Sequence, residues 1–495
     1  MTRRSRPGRP PSHVRAPTRK PTSQPSRAPG LRLLAAALAA AILGGCVSFS
    51  ADGGFAPVEQ AARDRLGMDL HWARSDADRE AISGRVAQLL ASPLSMDDAV
   101  QLALLNNRRL QAAFAELGIA EAELVQAGRL RNPGFSFGRF TRGDEVELER
   151  GLHFDLARLL AMPLVRQVET RRFEQAQAAA ALQVLSLAAE TRRAWVRAVA
   201  AEESVRYGAQ VMKSAQASAE LARRMAQAGN FNALQRAREQ SFYADAALGF
   251  ARAQQAQRAA RERLTRLLGL WGAQASFSLP PRLPDLPASP KELPDIERTA
   301  LESRLDVLGA RLAVEQSARN LGLTRATRFV NVLELGYAQE RSNEAPTRRG
   351  WEVGFELPIF DWSTARVARA EGVYMREFNR AAQTAIDARS EVREAYGAYR
   401  SAWDIARHHR EEIVPLRQRI AEENLLRYNG MLIGVFELLA DARVQIASVN
   451  AAIDALRDFW IAQADLDMAM VGRPGLAAPM AVAVPAAAAS GAAPH

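Results

Sequence analysis

Two unusually long helical stretches constrain this chain more than any other feature. Residues 164–228 and 363–428 are rich in alanine, arginine, glutamate and leucine, and each is some 65 residues long. At a rise of about 1.5 Å per residue, each predicts a rod of roughly 100 Å. Such long periodic patterns are typical of coiled coils or membrane spans, and the charge density excludes a membrane span. We therefore expect elongated coiled coils, with a kink or re-packing point at Pro415.

The rest of the helical pattern divides the chain into two similar halves. Shorter helical patterns cover 95–131, 232–268, 295–327 and 435–471. The segment GNFNALQRAREQ, which begins at Gly229, matches GVFELLADARVQ, which begins at Gly434, at six positions with a constant offset of 205. Each half also contains two extended segments before its long helix. The sequence therefore predicts an internal two-fold repeat.

The extended segments alternate between apolar and polar residues, which is a strand signal. The alternation is sharpest over 145–156 and 351–357, and partner strands are expected near 134–140 and 329–339. Arg150 interrupts the apolar row, which favours a strand start near Gly151 and an exposed acidic loop before it. The acidic and histidine members of the two rows are Glu145, Glu147, Glu149, His153, Asp155, Glu352 and Glu356.

In a sheet of four such strands, the backbone N–H and C=O groups of the two edge strands need hydrogen-bond partners. Strands of about ten residues fit a tilted membrane crossing, but an open sheet leaves backbone groups without partners in lipid. Three copies of the chain would close a barrel of about twelve strands, which is within the range of known barrels. A half-exposed sheet in a soluble domain is the alternative.

The N-terminus carries most of the excess charge. Residues 1–45 contain nine basic residues and no acidic residue, and they end in the apolar run 33–45. That run is too short to span a bilayer, and the pattern is typical of a secretory signal. Without this segment, 56 basic residues face 55 acidic ones, so the net charge of +10 gives no support for a nucleic-acid partner.

The chain's only cysteine follows the signal directly. The segment Leu-Gly-Gly-Cys ending at Cys46 resembles a bacterial lipobox, in which the cysteine is acylated and becomes the mature N-terminus. A buried free cysteine is the alternative. With one cysteine, an intramolecular disulfide is excluded.

These features predict six segments along the chain. They are a signal (1–45), a lipidated N-terminal segment (46–94), the first repeat (95–277), a proline-rich connector (278–294), the second repeat (295–472) and a disordered Ala/Pro-rich tail (473–495).

Motifs for catalysis or metal binding are weak. Residues 134–138 match the Gly-x-Ser-x-Gly hydrolase pattern, but they alternate like a strand and do not form a strand–turn–helix signal. The six histidines are scattered and include no His-Glu-x-x-His pair. We therefore expect no enzyme activity, no cofactor and no resident metal.

Several motifs in order resemble those of the TolC-like outer membrane efflux factors, over roughly 94–472. They are SMDDAVQLALLNN at Ser95, RNPGF at Arg131, WEVGFELPIFDW at Trp351, EEIVPL at Glu411 and YNGMLIGVFELLADAR at Tyr428, together with the lipobox and the repeat. The segment FDLARLLAMPLVR and the stretch 50–93 depart from the family pattern.

The resemblance implies a mainly α fold with transmembrane β-strands. It implies a homotrimer whose twelve-stranded barrel in the outer membrane continues into a periplasmic helical tunnel. The implied function is a passive conduit for small molecules or metal ions, working with a periplasmic adaptor and an inner-membrane efflux pump. A periplasmic coiled-coil lipoprotein that serves as an adaptor or scaffold is the alternative.

The resemblance also implies roles for particular residues. The adaptor would dock at the turns that contain Gly229, Asn230, Asn232, Gly430 and Gly434. Glu437 and Asp441, four residues apart on one helix face, would form a carboxylate ring at the periplasmic gate. In the alternative interpretation these two acids are solvated and paired with Arg443 or Arg427. The polar residues of the strands would line the barrel lumen.

Overall fold

The computed structural model describes residues 48–329 and 332–474. The predicted signal, Cys46 and most of the predicted tail lie outside the described residues. The described residues form a mainly helical structure with one small antiparallel sheet. None of the described helices is both long enough and apolar enough to cross a membrane.

Two short helices occupy the N-terminal stretch that the sequence leaves unassigned. Helix α1 spans Ala56–Leu66 and helix α2 spans Asp76–Leu89. Ser75 caps α2 by accepting a hydrogen bond from the backbone N–H of Asp78. The Phe55 ring, just before α1, meets the Phe114 ring edge-on at a centroid distance of 4.8 Å. The stretch is therefore an integral part of the helical core.

The predicted helix over 95–131 is wrong in one respect, because it breaks into two. Helix α3 spans Met96–Asn106 and helix α4 spans Arg108–Ala127. Asn107 between them is extended, and its side chain accepts hydrogen bonds from the first backbone N–H groups of α4. Its amide also donates to the carbonyl of Leu267 at 2.8 Å. This long-range hydrogen bond holds Asn107 at the break between the two helices. The local sequence does not predict the break.

Four antiparallel strands form the sheet in the order β1-β2-β3-β4. They span Gly134–Arg142 (β1), Glu145–Asp155 (β2), Leu333–Ser342 (β3) and Arg348–Phe355 (β4). The predicted start of the second strand near Gly151 is wrong, because β2 begins at Glu145. Arg150 stays in the ladder opposite Phe137 and Gln339, and its exposed position lets the charge remain solvated.

The first long helix, α5, spans Leu156–Gln227 and has 72 residues. It begins eight residues before the predicted start at Leu164, directly after β2, so the departing segment FDLARLLAMPLVR is helical apart from its first two residues. Asp155 caps the helix by accepting from the backbone N–H of Arg158 at 2.9 Å. Pro163 lies near the helix start. It is the eighth residue of the helix, so the ladder lacks the hydrogen bond that an N–H at this position would donate to the carbonyl of Leu159.

The second long helix is interrupted where Pro415 predicts a re-packing point. Helix α9 spans Thr364–His408, a π-helical turn spans His409–Ile413, and helix α10 spans Val414–Asn429. Proline has no backbone N–H to continue the ladder, and a π turn is a common way to absorb such a defect.

Four further helices complete the bundle. They are α6 (Ala233–Leu268), α7 (Ile296–Ser303), α8 (Leu305–Ala326) and α11 (Val435–Ala469). The predicted helix over 295–327 is thus split at Arg304. The order of elements in the second half repeats the order in the first half from α4 onward, with one hairpin before each long helix.

The proline-rich connector packs against the bundle. Leu283 and Leu286 are buried. Trp403 donates its indole N–H to the carbonyl of Pro287 at 3.0 Å, and Trp460 donates to that of Pro284 at 3.0 Å. Tryptophan buries a large ring while its N–H still needs an acceptor, and the connector's carbonyls provide it.

A buried arginine fixes the junction between α8, α9 and α11. The Arg304 side chain is 1% exposed and lies 2.6 Å from Asp306 and 2.7 Å from Glu391. It also donates to the carbonyl of Ala469 at 3.2 Å. Burial lowers the pKa of Arg304, but its hydrogen bonds to the two carboxylates outweigh this effect and leave the pKa above the ordinary value.

We expect Arg304→Ala to lower the free energy of unfolding by roughly 3–5 kcal/mol, because it leaves Asp306 without a counter-charge and Glu391 with Arg473 alone. Urea unfolding followed by circular dichroism measures the change. The matched control is Arg298→Ala, which removes a 73% exposed arginine paired with an exposed Asp295. The control should change stability by no more than about 0.5 kcal/mol. Equal effects of the two variants would contradict the role of the buried network.

Candidate functional site

The first candidate region is the turn that joins α5 to α6. Gly229 adopts the left-handed conformation at φ 78°, and the N–H of Asn230 donates to the carbonyl of Met225 at 2.9 Å. This bond over five residues closes the helix in a Schellman-type end, which favours glycine at the left-handed position. Asn232 and Gln235 then cap each other's backbone at the start of α6.

The turn between α10 and α11 has the same hydrogen-bond pattern with different residues. Met431 takes the left-handed position at φ 62°, and the N–H of Leu432 donates to the carbonyl of Arg427 at 2.8 Å. Gly434 is the N-cap of α11 and is extended at φ −82°. In structural terms Gly434 therefore matches Asn232, at an offset of 202, and the predicted match with Gly229 at an offset of 205 is wrong by three residues.

The two turns differ in what they expose. Phe231 is buried in the first turn, whereas Met431 and Leu432 are 93% and 77% exposed in the second. A methionine at positive φ is strained by about 1 kcal/mol or more. Strain and exposed apolar surface in the same turn mark it as a candidate contact surface.

The predicted gate acids lie on α11 directly after this turn. Glu437 is exposed in the first turn of the helix. Asp441 is half-buried and accepts a hydrogen bond from the side chain of Asn424. Within this chain the two arginines of the alternative pairing bind other acids, Arg427 binding Glu423 at 3.2 Å and Arg443 binding Glu239 at 2.7 Å. Both gate acids thus lack an arginine partner among the described residues.

A buried glutamate, Glu239, lies near the predicted gate acids and is not predicted from the sequence. The Glu239 side chain is 1% exposed and accepts from Ser218 at 2.7 Å and from Arg443 at 2.7 Å. The Arg443 guanidinium also lies 4.4 Å from the centroid of the Phe242 ring. The cluster joins α5, α6 and α11 near their tips. Glu239 and Arg443 are 204 residues apart, so no local spacing predicts their contact.

An exposed acid lies on α5 near the same end of the bundle. Glu220 receives hydrogen bonds from Arg223 at 2.7 Å and from Arg224 at 2.8 Å, and these bonds lower its pKa to about 2. The carboxylate therefore stays ionised at neutral pH. Because the group is exposed, the pairing makes only a small contribution to stability.

The second candidate region is the sheet, whose register sorts its side chains onto two faces. His153 lies opposite Gly336, and Gly336 lies opposite Glu352. One face therefore carries Glu145, Glu147, His153, Asp155 and Glu352 from the predicted lumen set. It also carries Glu149 of the same alternating row and two acids that the sequence does not predict there, Glu334 and Glu340. Glu356 follows the end of β4, and its N–H donates to the carbonyl of Val332 at 3.4 Å.

Glycines on this polar face make room for His153. A Cβ atom on Gly336 would lie 3.3 Å from His153 Cδ2, and one on Gly151 would lie 2.9 Å from His153 Cε1. Ser136, from the hydrolase-like pattern, lies opposite Gly151 within β1. The strand continues for nine residues with no helix after it. The strand–turn–helix geometry of a nucleophile elbow is therefore absent here.

The opposite face of the sheet is exposed in the single chain and is apolar in the half that adjoins the helices. Phe135, Trp351, Val353 and Phe355 are 69%, 73%, 62% and 63% exposed. Tyr337 meets Trp351 edge-on at a centroid distance of 5.2 Å. A continuous exposed apolar face of this kind marks an interaction site with lipid or protein. Within the described residues, no cluster of three or more His, Cys, Asp or Glu side chains could hold a metal ion.

We expect Glu239→Gln to loosen the tips of the hairpins, because Arg443 loses its buried counter-charge. Hydrogen exchange should be faster in the backbone amides of residues 213–244 and 435–446, by about tenfold or more if the local opening free energy falls by about 1.4 kcal/mol. Glu220→Gln is the control, since it removes an exposed acid from the same end. Unchanged exchange in the Glu239 variant would show that the contact does not hold the tips.

No protein-family model and no curated protein matches this chain. Solved structures of bacterial outer-membrane channels do match it in fold. CusC matches with a TM-score of 0.63 and 18% identity, covering 76% of this chain and 92% of CusC. The outer-membrane channel OprN matches with a TM-score of 0.64 and 19% identity, covering 81% and 93%. The open state of the MtrE outer membrane channel of Neisseria gonorrhoeae matches at 0.62 and 18%, covering 76% and 89%.

These similarities establish the fold. The chain has the fold of the outer membrane efflux channels, which is the TolC-like fold that its sequence motifs resemble. The matches cover nearly the full length of the solved channels, so the fold is shared from the sheet to the hairpin tips.

Proposed function

We propose that this protein is the outer-membrane channel of a tripartite efflux system, a passive conduit from the periplasm to the exterior. The observation that carries the proposal is the sheet. It has one exposed and largely apolar face, one acidic face and two edges that no described residue pairs. These properties suit a segment of a membrane barrel, in a chain that shares its fold with outer-membrane channels.

The unpaired edges imply assembly with further copies. An edge strand in lipid would leave its N–H and C=O groups without partners, so a membrane sheet must close on itself. Strands β1 to β4 have 8 to 11 residues, which fits a tilted crossing. A homotrimer would place β1 of one copy beside β4 of the next and close a barrel of about twelve strands. The polar face would then line the lumen.

The long helices would extend this barrel into the periplasm. At about 1.5 Å per residue, the 72 residues of α5 reach roughly 110 Å. The turns at their far ends would contact a periplasmic adaptor, which would link the channel to an inner-membrane pump. The exposed Met431 and Leu432 support a docking role for the second turn.

The export signal and Cys46 would anchor each copy by lipid. A secretory signal followed by a lipobox sends a chain across the inner membrane and attaches acyl chains to its new N-terminus. The protein would therefore be held in the outer membrane both by its barrel and by its acylated cysteine.

The acidic side chains of the polar face suggest which substrates the channel would carry. Glu145, Glu147, Asp155, Glu334 and Glu352 on one face would favour cations over anions in the lumen. Cationic drugs and metal ions are therefore the expected classes of substrate. The pump would make the finer selection.

A periplasmic lipoprotein that serves as an adaptor or scaffold is the alternative function. In that case the sheet would belong to a soluble domain, and its apolar face would be covered by other parts of the chain. Trp351, Val353 and Phe355 are instead exposed, which favours the channel.

The decisive test is the behaviour of the full-length protein in detergent and in bilayers. We expect an oligomer of three chains that resists SDS and dissociates on heating, and cation-selective single-channel currents in planar bilayers. Release of a monomer from membranes by a salt wash, with no conductance after reconstitution, would contradict the channel and support the scaffold.

The gate hypothesis makes a separate prediction. The double variant Glu437→Ala/Asp441→Ala should raise single-channel conductance or weaken block by divalent cations, because it removes a ring of carboxylates from the narrowest part of the tunnel. Glu423→Ala is the control, since it removes a nearby exposed acid already paired with Arg427. If conductance and divalent block both match the wild type, the two acids do not form the gate.

A further inference from the structure

The two halves of the chain share their order of helices but not all of their packing. Helices α8 and α11 of the second half each pack against two long helices, α9 of their own half and α5 of the first half. Helices α4 and α6, in the equivalent positions of the first half, pack against α5. No comparable contact joins them to α9 within the described residues. Each therefore lacks the neighbour that corresponds to α5 in the second half, which is an α9 helix.

Two hydrogen bonds set the register between the halves. Asn107 donates to the carbonyl of Leu267 at the end of α6, and Arg304 donates to the carbonyl of Ala469 at the end of α11. Residues of α6 and α11 thus correspond at an offset of 202, and the tip ends of α5 and α10 give the same value. The π turn after α9 contains one residue more than an α-helical turn, so residues of α5 and α9 correspond at an offset of 201.

One face of α9 is exposed where the corresponding face of α5 is buried. Leu185 of α5 is 3% exposed and belongs to the same apolar cluster as Leu305 of α8 and Met468 of α11. Its counterpart on α9, Ile386, is 61% exposed. The residues one turn before and after Leu185 are also buried, whereas those one turn before and after Ile386 are exposed. We call the exposed residues of this face the α9 stripe, namely Ala382, Ile386, Ser390 and Glu394.

An open groove of about 870 Å³ lies beside the first-half helices. It is bounded by the start of α4, residues 182–190 of α5 and the end of α6. In the second half, the equivalent space between the start of α8 and the end of α11 holds Leu185 and Ala189 of α5. The groove is thus the position that an α9 stripe would occupy. Its charged lining residues, none of which forms an ion pair with a described residue, are Arg108, Arg109, Glu190, Arg263 and Arg266.

One ion pair indicates what the missing neighbour supplies. Arg193 of α5 binds Asp465 of α11 at 2.5 Å, and the two side chains are only 9% and 11% exposed. The counterpart of Asp465 on α6 is Arg263, and the counterpart of Arg193 on α9 is Glu394. The second pair of positions therefore has the same chemistry with the charges exchanged. Both Arg263 and Glu394 are exposed, and neither forms an ion pair with a described residue.

The surroundings of Arg263 are strongly positive. Burial lowers the pKa of the nearby Arg197, and repulsion from Arg263 and Arg193 lowers it further. Asp465 opposes this effect, but its carboxylate is already bound to Arg193. A carboxylate brought to Arg263 from outside the chain would therefore be attracted to an excess of positive charge.

We propose that the α9 stripe of one copy lies in the groove of the next copy, where Glu394 forms an ion pair with Arg263 of that neighbour. The proposal rests on the homotrimer proposed above and assigns the two faces that join its copies. Because the stripe and the groove are different surfaces, the contact is head-to-tail, and three such contacts can close a ring. Each contact between copies would then repeat the packing of α5 against α8 and α11 within one chain.

The first test reverses the charges in the full-length protein. R263E and E394R each place like charges together in every interface, which is strongly unfavourable. At a temperature where half of the wild type remains an SDS-resistant oligomer, each variant should retain about tenfold less oligomer or lower still. The double variant R263E/E394R should recover most of the loss, because it restores an ion pair. The control R298E, on α7, reverses another exposed charge and should match the wild type.

The second test does not depend on destabilising the oligomer. Membranes that contain R263C/E394C are treated with a short bismaleimide crosslinker and separated on a denaturing gel. We expect covalent dimers and trimers and no larger species, as a closed ring of three requires. Each single-cysteine variant should stay monomeric, which excludes crosslinking through Cys46. The control R298C/E394C should also stay monomeric.

Three results would overturn the assigned interface. They are an oligomer that neither reversal weakens, a double variant that does not recover, and crosslinking of R263C/E394C no greater than that of R298C/E394C. The wild type separates this proposal from the channel function. A conducting, SDS-resistant trimer without the crosslink overturns only the interface, whereas a monomeric wild type without conductance overturns the channel itself.

Discussion

The unpaired edges of the four-stranded sheet are the constraint on which the rest of the structure depends. Strands β1 and β4 each leave one row of backbone groups without partners among the described residues, and one face of the sheet is exposed and largely apolar. A membrane can accept that face only if the edges are closed by other copies. Since α5 and α9 continue almost directly from β2 and β4, any symmetry that closes the sheet is imposed on the helices as well.

The helices pack against one another through small side chains and a few buried charged residues. Alanine lets the helices approach closely but buries little apolar area per residue, so specific polar contacts set how the two halves align. Arg193 of α5 binds Asp465 of α11 at 2.5 Å, and Glu239 of α6 binds Arg443 of α11 at 2.7 Å. Removing one partner from such a buried pair leaves an uncompensated charge. The two pairs therefore fix the register of the second half against the first at two levels.

Much of the fold could be predicted from sequence because its signals are local. The long helices, the alternating strands and the re-packing point at Pro415 all follow from periodicity or from one residue's chemistry. The breaks at Asn107 and Arg304 could not be predicted, since each depends on partners far along the chain. The same holds for Glu239. The start of β2 is hard to predict for another reason, because Arg150 interrupts the apolar row although its exposed position tolerates a charge.

The correction of the repeat offset from 205 to 202 changes how the tips can work. At the true offset, Gly229 corresponds to Met431, so one turn is relaxed and closed over Phe231 while the other is strained and exposes Met431 and Leu432. In the proposed trimer, six tips would therefore alternate between two kinds. A partner that binds the exposed apolar turn would have three equivalent sites. A partner that recognises only the shape of a helical hairpin would have six. In the proposed channel, the asymmetry between the halves would therefore decide whether an adaptor binds at three sites or at six.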